Sequence, residues 1–215
     1  MVMRTRNVSK LPLLEAGPNS PLAKPDWAYV DKPDLDAFTV EDWQILDRQR
    51  VVYDAEQRAA QALRMLAAMA DDTTFGYAIN NYRHCLQSAT MALRDGHDEE
   101  TVVVALFHDI GFITCPETHG AFAAALLGPL ISDKNIWMLE HHDLFQSHHI
   151  HDQPHTDPNA RDRWHGHRHF DWAAEYVAKY DQNAISATYE NAPIEAFVPM
   201  VNRVFARPPK IRPRD

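Results

Sequence analysis

Cysteine is scarce in this chain. Two residues of that type in 215, Cys85 and Cys115, cannot build a disulfide framework, and their scarcity fits a reducing, cytoplasmic setting. Long apolar runs are missing as well. No stretch approaches the roughly 18 apolar residues of a membrane helix. The opening MVMRTRNVSKLPLLEAG also lacks the continuous apolar core of a secretory signal, so no membrane association is expected. Basic charge is outweighed: 21 Lys and Arg against 30 Asp and Glu give a net charge of −9. That disfavours nucleic acid as a partner, although a small anionic substrate stays compatible, because local charge can oppose the total. No period-two alternation suggests a strand, and no segment repeats. The expected fold class is all-α.

The chain is long enough for one domain with its own core. Residues 1–38, with Pro12, Pro18, Pro21, Pro25 and Pro33, read as an extended N-terminal arm. A helical domain follows over 39–206, and 207–215 form a basic tail with no evident packing face. Thr39 can cap a helix beginning at Val40, with Glu41 and Asp42 in the first turn where the helix dipole favours them. This helix is expected to run, with a break, to Ala70. A second helix carries His84 and stops at Asp95-Gly96. A third opens on Asp98-Glu99-Glu100, and its body, Thr101 to Phe107, is apolar all round and should be central. His119 and Asp133 begin two more helices. Residues 147–168 form a His-, Asp- and Arg-rich insertion. Phe170 to Tyr180 is a helix that ends at Asp181, and a last helix covers Ile194 to Ala206.

Histidine is abundant where cysteine is not. There are 13, and all but His84 and His97 fall between His108 and His169. The pair His108-Asp109 stands out because it ends the most buried helix, where adjacent imidazole and carboxylate groups need a strong partner. The dipeptide alone is weak, recurring at His97-Asp98, His142-Asp143 and His151-Asp152. Its weight comes from company: His84 on an inward helical face, His119 at a helix start, and a late Asp181. His141 and His142 are barely separated by periodicity; His142 is the expected inward residue, with His141 as the alternative. Four histidines and two aspartates can hold two metal ions, with one carboxylate between them. Such donors suit Fe, Mn, Co, Ni or Zn rather than Ca or Mg, and the lack of cysteine ligands argues against a structural zinc site.

His84, His108-Asp109 and Asp181 resemble the H…HD…D signature of the HD-domain superfamily, an all-α metalloprotein fold. His119 and His142 match the additional histidines of its dinuclear members. The similarity spans roughly residues 75–185. The strings HCLQSA, VALFHDIGF, HGAFAAALL, EHHDLFQ and KYDQNAI look closest to the HD-domain mixed-valent diiron oxygenases, the branch of myo-inositol oxygenase and the phosphonate-cleaving oxygenases; Leu86-Gln87 tips the comparison. The resemblance implies an Fe(II)/Fe(III) pair, one iron on His84, His108, Asp109 and Asp181 and the other on Asp109, His119 and His142. Asp109 is then the candidate catalytic residue. It implies an enzyme that uses O2 to cleave a C–P or C–C bond of a small hydroxylated substrate, with 1-hydroxyphosphonates among the candidates.

The chain departs from the phosphonate-cleaving pattern at Phe112 and Gln146, where those relatives place basic or imidazole groups, and at Tyr77, near the place of a loop glutamate. The candidate substrate contacts are Gln146, Arg161, His165 and Lys179. Arginine forks in the insertion suit an anion, and Trp164, Trp172, Tyr176 and Tyr180 suit a pocket wall. The alternative activity is hydrolysis of a nucleotide or other phosphate ester with Mn, Ni, Co or Zn. A monomer or homodimer is expected.

Overall fold

A computed structural model describes residues 24–210, and among these every regular element is helical. The helices are α1 (Val40–Ala68), α2 (Asn81–Arg94), α3 (Glu99–Phe107), α4 (His119–Leu127), α5 (Asp133–Gln146), α6 (Phe170–Tyr176) and α7 (Val198–Phe205). Short 3-10 turns join them, and a π-helical turn, Val177–Asp181, continues α6. No helix among the described residues is long and apolar enough to cross a membrane. The chain divides into two compact units at Glu56, within α1. Residues 1–23 of the expected arm and 211–215 of the expected tail lie outside the described residues.

In the first unit, residues 24–38 hold one 3-10 turn, Leu35–Ala37, and run back along α1. Gln49 makes a two-way amide clasp with the Ala28 backbone (2.7 and 3.0 Å). Lys24 pairs with Glu56 at 2.6 Å, and the Trp27 and Tyr53 rings meet at 6.0 Å. The arm is therefore tied down by specific polar contacts over its described part.

The second unit is built around α3. Its residues from Thr101 to Phe107 are all buried, and apolar side chains of this size each contribute about 1.5–3 kcal/mol when fully withdrawn from water. Side-chain caps set the helix starts: Asn80 accepts from the Arg83 amide and Asp98 from the Thr101 amide. Helices α4 and α5 approach closely at Gly120. A Cβ there would lie 2.3 Å from the Leu139 carbonyl oxygen, so only glycine lets His119 and His142 face each other.

The tail differs from expectation. Arg207 bonds Glu100 Oε2 at 2.6 Å and the Leu130 carbonyl at 3.1 Å, and the Lys210 amide and ammonium reach Pro129 and Ile131 carbonyls, each at 2.7 Å. These groups pair with the carbonyls of Pro129, Leu130 and Ile131 after α4, a long-range pairing that composition does not reveal. The last helix is also shorter than expected, because Ile194–Ala196 is a separate 3-10 turn before α7.

Candidate metal centre

Five helical segments deliver six side chains to one point. His84 comes from the first turn of α2, His108 and Asp109 from the end of α3, His119 from the start of α4, His142 from α5 and Asp181 from the end of the π-helical turn. All six are buried, and His108 and Asp181 show no exposure at all.

The tautomers follow from main-chain partners. His84 Nδ1 donates to the Ala184 carbonyl at 3.0 Å, His108 to Ala105 at 2.9 Å, His119 to Pro116 at 2.7 Å and His142 to Leu139 at 2.9 Å. A carbonyl oxygen only accepts, so each Nδ1 carries the proton and each neutral ring turns an Nε2 lone pair inward. Those lone pairs converge in two couples: His84 and His108 Nε2 are 3.0 Å apart, and His119 and His142 Nε2 are 2.9 Å apart. Two facing lone pairs repel, so each couple takes up a cation between its rings, a proton in the metal-free protein or a metal ion in its place. Backbone carbonyls on the remote ring nitrogen are the usual orienting partners of metal-bound imidazole.

The carboxylates lie between and beside the couples. Asp109 Oδ1 is 3.2 Å from His142 Nε2 and 3.3 Å from His119 Nε2, while its Oδ2 is 3.5 Å from His84 Nε2. One carboxylate thus addresses both couples, its Oδ1 lying also 3.7 Å from His108 Nε2. Asp181 Oδ1 lies 3.5 Å from His84 Nε2 and 3.7 Å from His108 Nε2. Its Oδ2 is buried with no hydrogen-bond partner among the described residues, a costly orphan that a bound cation would satisfy. Three overlapping sets, His84/His108/Asp109, His108/His142/Asp181 and Asp109/His119/His142, have ligand atoms close enough to hold an ion. The donor set therefore fits metal.

Without metal, the charges lean on each other. Burial opposes charging His142, yet the Asp109 hydrogen bond and charge win and raise it to about 9. His84 and His119 are raised for the same reason, burial again opposing and the carboxylates prevailing. Burial would lift Asp109, but the His108 charge and the His119 and His142 hydrogen bonds hold it well below the ordinary carboxylate range. Asp181 is lowered likewise, its opposing burial outweighed by hydrogen bonds to His108 and His84.

A second tier holds this arrangement. Gln87 donates to the Ser186 carbonyl at 2.6 Å and accepts from the Ser186 amide at 3.2 Å, fixing the strip whose Ala184 carbonyl orients His84. Asn81 donates to the Asp109 carbonyl at 3.2 Å. The Tyr180 hydroxyl donates to Asp95 Oδ2 at 2.9 Å and meets His97 Nε2 at 2.8 Å, pinning the π-helical turn one residue before Asp181. Such turns favour functional positions. Sequence reasoning missed Asn81, Asp95 and His97, whose roles exist only through partners far along the chain.

The structure separates the remaining candidates. His141 turns away: its ring stacks on Trp137 at 4.4 Å and its Nδ1 meets the Trp137 carbonyl. Gln146 stands one helical turn after His142, donates to Asp181 Oδ1 at 3.0 Å and lines the pocket over the centre. Arg161, His165 and Lys179 do not line it. The Arg161 guanidinium lies over the Phe145 and Phe170 rings, His165 pairs with Asp162, and Lys179 pairs with Glu175 one turn earlier. Local partners hold all three. The aromatic wall is not assembled at the pocket either: Tyr176 and Tyr180 are core residues, and Trp164 and Trp172 pack beside Trp137 and Asn135.

A pocket open to solvent lies over the centre, lined by His84 and Asp109 together with Phe112, Tyr77 and Ile185. Comparison with family models gives no match, and neither does comparison with curated proteins.

Proposed function

We propose that this chain is a dinuclear metal enzyme of the HD type, a non-haem diiron oxygenase that uses O2 to cleave a C–C or C–P bond of a small hydroxylated substrate. One observation carries the reading: the Asp109 carboxylate stands between two imidazole couples whose Nε2 atoms face each other. His84, His108, Asp109 and Asp181 would hold one ion, and Asp109, His119 and His142 the other. The order and spacing of these ligands resemble the mixed-valent diiron branch, and the His/carboxylate donor set accepts iron. An iron pair supplies one-electron chemistry toward O2 that a zinc pair lacks.

The chain's own residues supply the rest. The four main-chain carbonyls hold each imidazole in its ligating tautomer. Gln146 and Asn81 brace the two aspartates. The apolar rim limits water around the reacting carbon, and the pocket gives a substrate hydroxyl a route to the base where His84 and Asp109 lie.

The test is iron loading of protein purified without oxygen, followed by oxygen-uptake screening of polyols, hydroxyketones and hydroxyphosphonates. The expected result is two irons per chain, an EPR-active mixed-valent state and substrate-dependent oxygen consumption. Hydrolysis of a chromogenic phosphate ester with Mn or Ni, with no oxygen consumed by any substrate, would instead establish the phosphohydrolase.

A further inference from the structure

The pocket over the centre carries more polar residues than it can offer to a ligand. Asn80 is spent on structure: its oxygen caps α2 and its amide donates to the Ala70 and Asp72 carbonyls at 2.9 and 3.3 Å. Asn81 and Gln146 already donate to Asp109 and Asp181. Most of what faces an occupant is apolar: Phe75, Tyr77, Ile79, Phe112 and Ile185 line the space, with Thr73 and Thr74 as the uncharged polar exceptions. Phe75, Tyr77 and Ile185 are also exposed (65%, 64% and 50%), and they make up three of the five exposed large apolar side chains described in the second unit. Exposed apolar groups gathered at one mouth mark a contact surface. Phe75 even adopts a φ of +53°, a conformation uncommon for a bulky residue and costly unless the fold enforces it.

Positive charge is missing from the same lining. No Lys or Arg is among the described lining residues. Arg83, the neighbour of His84, is engaged by the Ala187 and Tyr189 carbonyls at 2.9 and 3.3 Å and by Asn191. A charged group beyond the reach of the ions would be partly desolvated against apolar walls with no Lys or Arg counter-charge among the described lining residues, which disfavours it.

We propose that this pocket takes a compact amphipathic ligand, with an oxygen-chelating head directed at the centre and an uncharged, largely apolar remainder held by Tyr77, Phe112 and Ile185. This rests on the dinuclear reading above and narrows its substrate class: an anionic group can sit only on the ions, and a second charge elsewhere on the molecule is rejected.

The test uses zinc-loaded protein, so that neither iron nor oxygen is needed, and three hydroxamates that share one chelating head. Calorimetry should find benzohydroxamate binding at least about tenfold tighter than acetohydroxamate, which lacks the apolar body, and than 4-carboxybenzohydroxamate, which adds a charge; that factor corresponds to about 1.4 kcal/mol. Ile185→Lys, at an exposed rim position, should close most of the gap for the carboxylated probe. A chain that holds two zinc ions yet binds all three probes alike, prefers the charged one or binds none overturns this proposal alone. A chain that takes up no zinc overturns the dinuclear reading and this proposal with it.

Discussion

Two populations of histidine share this protein, and they behave differently. His84, His108, His119 and His142 are buried, and each spends Nδ1 on a main-chain carbonyl. The histidines of the 147–169 region are more numerous but solve other problems. His167 stacks on Trp137 at 4.3 Å and 18°, opposite His141, and His165 lies against Phe170 at 4.4 Å. Imidazole abundance therefore says little about metal. Burial and a shared carboxylate say a great deal, whereas a carbonyl on Nδ1 alone does not, since His141 and His148 have one too.

Substitutions in the first population should have the largest effect. Asp109→Ala should empty both ion positions, because its carboxylate addresses both imidazole couples. Metal content of the purified variant, set beside a circular dichroism spectrum showing retained helix, checks this. His119→Ala should leave one ion of two, since the His84, His108 and Asp181 donors stay in place.

Removing metal should come next. An ion binding only the native state stabilises it by about 4 kcal/mol at a thousandfold excess over its dissociation constant. Chelated protein should accordingly melt well below loaded protein. The pH dependence should also invert between the two forms. In the metal-free protein His142 is raised from 6.5 to about 9, burial opposing and Asp109 prevailing. Its contribution is complete below 6.5 and is lost as pH rises through about 9. In the loaded protein protons compete with metal for the same nitrogens, so stability falls as pH drops. Thermal melts of both forms across this range distinguish them; parallel curves would contradict the account.

Smaller effects sharpen the contrast. Gln87→Leu leaves the Ser186 backbone groups unpaired and should cost about 1–3 kcal/mol, with a measurable loss of affinity for the ion at His84. His167→Ala removes one face of the Trp137 stack and should cost about 1 kcal/mol with no change in metal content. Loss of an ion in that variant would erase the distinction between the two populations.

Much of this was legible in the sequence, for identifiable reasons. Helix α3 announces itself through its Asp98 cap, acidic first turn and apolar body, α2 through its Asn80 cap and α5 through Asp133 in its first turn, and the buried His108-Asp109 pair follows from the all-round apolar face of α3. His142 over His141 was not legible, because both share apolar neighbours on α5; the choice is made by Trp137 stacking on His141 and by the close approach of α4 at Gly120. The widening of α6 into a π-helical turn was invisible as well. Within it Tyr180 meets Asp95 and His97, 85 and 83 residues away in the chain. The substrate side was read least well: Arg161, His165 and Lys179 have the right chemistry, but local rings and carboxylates claim them.

The most direct measurement is anomalous scattering at the iron edge from crystals grown anaerobically with excess Fe(II). Two peaks on either side of the Asp109 carboxylate, one beside His84, His108 and Asp181 and the other beside His119 and His142, are predicted. A single peak, or none with the six side chains still converged, would contradict a bridged pair.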